Sequence, residues 1–170
     1  MNESIVKYTI GRLMQVLAML LLFPLLVGLI YRESLIDLRN FVIPIILAFV
    51  LGTFLTRTGE SNGHIFTKEA MFITASCWII FSLIGAIPLY LTASNYPSFV
   101  DAFFEMASGF TTCGASVASN VELLPNSIIF WRSFSQGGMG ILVFTLAIMP
   151  KANKESSSLM QAEVPGPTFG

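Results

Sequence analysis

The chain has 170 residues, of which 54% are hydrophobic and only 11% charged, and its formal net charge is −1. A soluble domain carries about twice that charged fraction, so this composition fits the bilayer better than water. The near-neutral balance and the lack of a basic stripe argue against a nucleic-acid partner, and two cysteines, Cys77 and Cys113, offer no metal spacing and no supported disulfide.

Four apolar stretches follow one another. The first runs roughly from Leu13 to Tyr31, with Pro24 and Gly28 inside it. Lys7 and Arg12 precede it, but it is as long as a full span and no small-residue cleavage pattern follows, so it does not read as a removed signal. The second, Asn40 to Thr56, has Pro44 near its start and is marginal in length. The third, Met71 to Thr92, carries Pro88 near its end. The fourth, Ile128 to Met149, is stopped by Pro150. A crossing helix needs about 20 apolar residues, and helices are the natural form because lipid offers the backbone no hydrogen bonds. With the N-terminus inside, the inner face receives Lys7, Arg12, Arg57, Lys68, Lys151 and Lys154, and the outer face Arg32 and Arg39. That bias predicts both ends of the segment in the cytoplasm, with Tyr31, Tyr90, Tyr96 and Trp131 at the outer interface.

Between the third and fourth stretches, Tyr96 to Pro125 is too polar to cross a membrane and too apolar for a solvated loop. Phe99, Val100, Ala102, Phe103, Phe104, Met106, Ala107 and Phe110 predict a short helix, started by Ser98 and ended by Gly109. The small polar run from Thr111 to Ser116 follows, then an ascending loop from Val117 to Pro125. This order predicts a re-entrant loop, because irregular backbone at membrane depth survives only inside protein or beside water.

A cation entering a membrane exchanges its water shell for oxygen ligands, and backbone carbonyls supply them without a full negative charge. Thr111, Thr112, Cys113 and Gly114 suit such a loop: small side chains allow close approach, and glycine permits dihedrals closed to other residues. The short helix would aim its partly negative C-terminal end at the ion. The bland alternative is an ordinary polar loop. Cys113 as a nucleophile lacks a histidine or acid at a plausible spacing.

Asp101 through Val117 (DAFFEMASGFTTCGASV) resembles the first pore loop of the Trk/Ktr/HKT superfamily, and Pro125 through Ile141 resembles the helix that follows it there. Two spans ahead of the pore unit resemble the Trk branch, the potassium uptake subunits. The resemblance implies an all-α membrane protein: four transmembrane helices plus a re-entrant pore helix and filter loop. Residues 1–68 would form an N-terminal helix pair, 69–150 the first helix–pore loop–helix repeat, and 151–170 a cytoplasmic linker. It implies a filter at Thr111, Thr112, Cys113, Gly114 and Ala115, with potassium at Thr111 and Thr112. The potassium-channel filter Thr-Val-Gly-Tyr-Gly is matched only through Gly114, which predicts weaker potassium selectivity. The resemblance further implies a transported potassium ion, no cofactor, a homodimer in the full-length form, and a cytosolic nucleotide-binding regulatory subunit (TrkA-like). The setting would be the bacterial inner membrane, in contact with lipid.

Only one such loop occurs, where a family member carries four, so the chain reads as the N-terminal fragment of a longer protein rather than a unit assembling in four copies. Asp101 and Glu105 lie four apart on one helical face. They form either an acidic outer collar or, for Glu105, a buried partner of Arg132. A lone charge inside a span costs about 2.5–3.5 kcal/mol on insertion scales, so Arg132 is expected either to reach the interface or to take a partner, Glu105 or a loop carbonyl. Gly137, Gly138 and Gly140 suit close helix packing or a hinge. The rival functional classes are a non-conducting membrane scaffold and an intramembrane enzyme using Cys113, the latter lacking a visible base.

Overall fold

The computed structural model describes residues 2–92 and 96–136. Within them lie five α-helices and one 3₁₀ turn: α1 (Glu3–Ile30), α2 (Leu35–Thr58), α3 (Thr67–Thr92), α4 (Phe99–Phe110), the turn Val121–Leu123, and α5 (Asn126–Ser135). The first three are long and apolar enough to cross a membrane. The fourth apolar stretch is described only as far as Gln136. Its remainder, with Gly137, Gly138, Gly140 and the expected linker 151–170, lies outside the described residues.

Local sequence sets the helix boundaries. The Asn2 side chain accepts from the Ser4 N–H at 3.2 Å and starts α1. Ser34 accepts from the Asp37 N–H at 3.3 Å and its hydroxyl donates to the Asp37 carboxylate at 2.7 Å, so α2 begins at Leu35, earlier than the apolar run alone indicates. The charged first turn of α2, with Asp37 and Arg39, hides its start from a hydropathy count. Pro24, Pro44 and Pro88 all sit inside helices.

α1 and α2 form an antiparallel hairpin whose backbones meet at Gly11 and Gly52. A Cβ on Gly11 would stand 2.7 Å from the Gly52 carbonyl oxygen, and one on Gly52 2.8 Å from that of Gly11. Small residues of this kind permit close helix approach. Beside the crossing, the Gln15 amide donates to the hydroxyls of Thr53 at 3.3 Å and Thr56 at 3.4 Å. The Asn40 amide donates to the Thr92 hydroxyl at 3.1 Å, joining the start of α2 to the end of α3.

α4 then descends alongside the C-terminal half of α3. Tyr90 meets Phe99 edge-on at 5.8 Å, Gly85 faces Met106, and Phe81 meets Phe110 edge-on at 6.0 Å. α5 runs antiparallel to α1, with Ser127 beside Gly28 and Phe134 beside Phe23. The shared core includes Leu17, Leu21, Phe41, Ile73, Met106, Ile128 and Trp131. Outward faces remain apolar at Met19, Phe49, Phe54 and Ile79, as a lipid-facing surface requires.

Of the four rings expected near the outer interface, Tyr96 and Trp131 are packed inside the protein, at 2% and 0% exposure. Trp131 fills the junction of α3, α4 and α5, where its indole N–H donates to the Gly85 carbonyl at 3.1 Å. Tyr31 and Tyr90 are exposed.

Candidate functional site

The site begins with how α4 starts and stops. Ser98 caps it: its hydroxyl accepts from the Asp101 N–H at 3.2 Å and donates to the Asp101 carboxylate at 2.8 Å. The helix passes the expected stop at Gly109 by one residue. The helix continues through Phe110, and Gly109 serves a close approach instead, since a Cβ there would lie 2.5 Å from the Ser135 hydroxyl of α5.

The actual terminus is a Schellman motif. The Thr112 N–H bonds the Gly109 carbonyl at 3.0 Å and the Cys113 N–H bonds that of Ser108 at 2.9 Å. The motif needs a left-handed residue, usually glycine, and here that residue is Thr112 at φ +59°. A β-branched side chain at positive φ is an outlier, and left-handed backbone costs an L-residue about 1–2 kcal/mol. Gly114 is also at positive φ, +76°, with open space where a Cβ would stand.

These hydrogen bonds fix the direction of the intervening carbonyls. In a trans peptide the N–H and the preceding C=O point opposite ways. The N–H groups of Thr112, Cys113 and Gly114 all point back to Gly109 and Ser108. The carbonyls of Thr111, Thr112 and Cys113 therefore point away from the helix end. The side chains of this stretch do not cover them with a hydrophobic lid: Thr111 to Val117 are all exposed. The Thr111 hydroxyl is turned back, donating to the Ala107 carbonyl at 2.7 Å.

Behind the loop sits a polar anchor. Arg132 of α5 and Glu105 of α4 form an ion pair, with the Arg132 Nε–H donating to the Glu105 carboxylate at 2.8 Å. The same carboxylate accepts from the Ser116 hydroxyl at 2.8 Å and the Val117 N–H at 3.0 Å. Arg132 also donates to Ser116 at 3.1 Å. Glu105 is thus buried and engaged, and of the collar pair only Asp101 stays at the helix start, where it completes the cap. Glu105, Arg132 and the loop beyond Ala115 are brought together. Cys113 is exposed and Cys77 buried, and the two do not form a disulfide.

Ser116, the Val117 N–H and Tyr96 also belong to this arrangement, Ser116 having been expected only as part of the small polar run and Tyr96 only as an interfacial ring. Burial, with the Glu105 charge next in weight, pushes the Tyr96 phenol up to about 12.

Residues 37–170 match the family model TrkH, described as a cation transport protein. An uncharacterized cation transporter of Methanocaldococcus jannaschii is 36% identical over 160 residues, covering 93% of this chain and 33% of that protein. The Trk system potassium uptake protein TrkG of Escherichia coli is 34% identical over 173 residues, covering 98% of this chain and 35% of its own length. The crystal structure of the potassium transporter TrkH from Vibrio parahaemolyticus superposes with a TM-score of 0.77 at 26% identity, over 95% of this chain and 36% of that one. The chain therefore spans about a third of the length of the relatives it matches. With three helices fit to cross a bilayer and a family model covering most of its length, this chain is a multi-pass membrane protein and belongs to the TrkH family of cation transport proteins.

Proposed function

We propose that this segment supplies one of four carbonyl-lined pore loops to a potassium uptake protein of the bacterial inner membrane. The observation that carries the proposal is the depth and orientation of the loop. α3, at 26 residues, is about 39 Å long, against a hydrocarbon core of about 30 Å. α4 descends from the level of Tyr90 to that of Phe81, close to the middle of α3. A loop that starts there with its carbonyls turned away from the helix end is suited to receive a dehydrated monovalent cation.

The parts then have distinct roles. The carbonyls of Thr111, Thr112 and Cys113 act as ligands, with Gly114 and Ala115 continuing the ladder. The C-terminal end of α4 adds a negative partial charge that favours the cation. Glu105 and Arg132 hold the back of the loop by charge-assisted hydrogen bonds, and their opposite charges leave little net field on the ion. No bond is made or broken, so the ion moves down its electrochemical gradient or with a coupled ion. Relatives named as potassium uptake proteins support potassium as the ion. The lysine and arginine bias supports an inward-facing N-terminus. A homodimer and a cytosolic nucleotide-binding regulator are the assembly this reading assigns to the full-length protein.

The test is growth of a potassium-uptake-deficient strain on low potassium, with the full-length gene. The wild-type gene is expected to restore growth. Gly114→Ser is expected to abolish it at normal protein level, because any side chain strains the +76° backbone although the space is open. Undiminished uptake in that variant would instead favour a scaffold role for the segment.

A further inference from the structure

The α1–α2 turn reaches across the fold to the start of α5. Pro125 occupies the N-cap of α5 and has no side chain able to bond the helix's first N–H groups. That task falls to Glu33, 94 residues away. Its carboxylate accepts the Ser127 N–H at 2.9 Å and the Ser127 hydroxyl at 2.5 Å. Ser127 is fully buried, and a carboxylate at a helix N-terminus is favoured by the helix dipole.

The turn is shaped to deliver this carboxylate. α1 ends in a second Schellman motif, with the Arg32 N–H on the Leu29 carbonyl at 3.2 Å and the Glu33 N–H on the Gly28 carbonyl at 3.0 Å. Arg32 takes the left-handed position at φ +54°, where glycine would be relaxed. Gly28 leaves the needed gap: a Cβ there would stand 3.0 Å from the Glu33 carboxylate and 3.5 Å from the Ser127 Cβ. From Ser127, α5 runs five residues to Arg132, which grips Glu105 and Ser116 behind the loop.

We infer that Glu33 is a positioning residue for the pore loop: the outer turn of the N-terminal helix pair fixes the height of α5, and through Arg132 the placement of residues 111–117. This rests on the proposed pore function. It gives the first helix pair a role in ion discrimination that no contact with the ion requires.

The experiment uses the full-length protein in potassium-uptake-deficient cells, with membrane level followed on blots. Glu33→Ala is expected to raise the half-saturating potassium concentration and lower potassium-over-sodium discrimination by about two- to thirtyfold, the range produced by changes coupled through a contiguous contact chain. Glu33→Gln keeps the shape and an acceptor, and falls between. Adding Glu33→Ala to Arg132→Gln is expected to cost less than the sum of the two. A second readout needs no transport: labelling of the exposed Cys113 by a maleimide in purified protein, mapped by mass spectrometry, changes rate in Glu33→Ala. If Glu33→Ala fails to accumulate, Ser127→Ala carries the same measurements. Unchanged ion discrimination and unchanged Cys113 labelling in Glu33→Ala and Ser127→Ala, with Gly114→Ser still abolishing uptake, overturn the inference alone. A wild-type protein that imports no potassium overturns the proposed function beneath it.

Discussion

Arg132 and Glu105 are held with side chains 12% and 4% exposed, so neither charge has water to fall back on. Removing one partner of such a pair strands the other and costs about 3–5 kcal/mol. Arg132→Gln is therefore expected to lower the unfolding midpoint of the full-length protein in detergent. Glu105→Gln on that background is expected to recover part of the loss, because the stranded carboxylate is gone. The two left-handed residues behave differently. Arg32→Gly is expected to stabilise by about 1 kcal/mol, the strain it removes, without touching the loop itself. Tyr96 supplies a pH signature. With its pKa raised to about 12, the neutral phenol is the form the fold favours. Its contribution is complete below pH 10, the unfolded value, and declines as pH rises through about 12. Absorbance at the phenolate band should show one tyrosine ionising late, and Tyr96→Phe should remove that phase. Of all this, sequence pointed to Glu105 or a loop carbonyl as the partner of Arg132, because an intramembrane charge demands one, and the ion pair with Glu105 is the one formed. Sequence did not disclose Glu33. The one available sign was a helix opening on Pro125 with no capping side chain, and nothing local says which distant acid fills that vacancy.

α4 and α5 meet through Gly109 and Ser135. Gly109→Ala would press a methyl to 2.5 Å from the Ser135 hydroxyl, and overpacking of this kind costs about 1–3 kcal/mol. Ser135→Gly on that background is expected to restore much of the stability, measured by the same detergent unfolding midpoint. Gly11→Ala has no such remedy, since the obstructing atoms at 2.7 and 2.8 Å belong to the backbone of α2. Existence and order of the helices were readable from hydropathy, because lipid leaves the backbone no alternative. Their ends were less so. α2 starts five residues before its apolar run because Ser34 and Asp37 cap it, and α4 outlasts Gly109 because the terminating role passed to Thr112. The two causes differ: a charged first turn hides the start of α2 from a hydropathy count, whereas Gly109 serves the close approach of α5 rather than ending α4.

Taken as a whole, the molecule is a long hairpin, α1 and α2, set against a compact group formed by α3, α4 and α5. The hairpin joins the group through the Asn40–Thr92 bond, the Phe23–Phe134 contact and the Glu33–Ser127 bonds. Composition told of the bilayer, and the loop motif told of the family. Neither told how the two halves are joined, since that depends on side chains dozens of residues apart. The position of Trp131 has a practical outcome. Its indole is sealed from water, bonded to Gly85 and met edge-on at 6.1 Å by Phe110, the last residue before the loop. Its fluorescence should accordingly emit at short wavelength and shift red when that packing loosens. With Trp78 and any tryptophan outside this segment replaced, a single native fluorophore would become a label-free gauge of how firmly the loop's supporting helix is seated, readable while ions are exchanged across a vesicle.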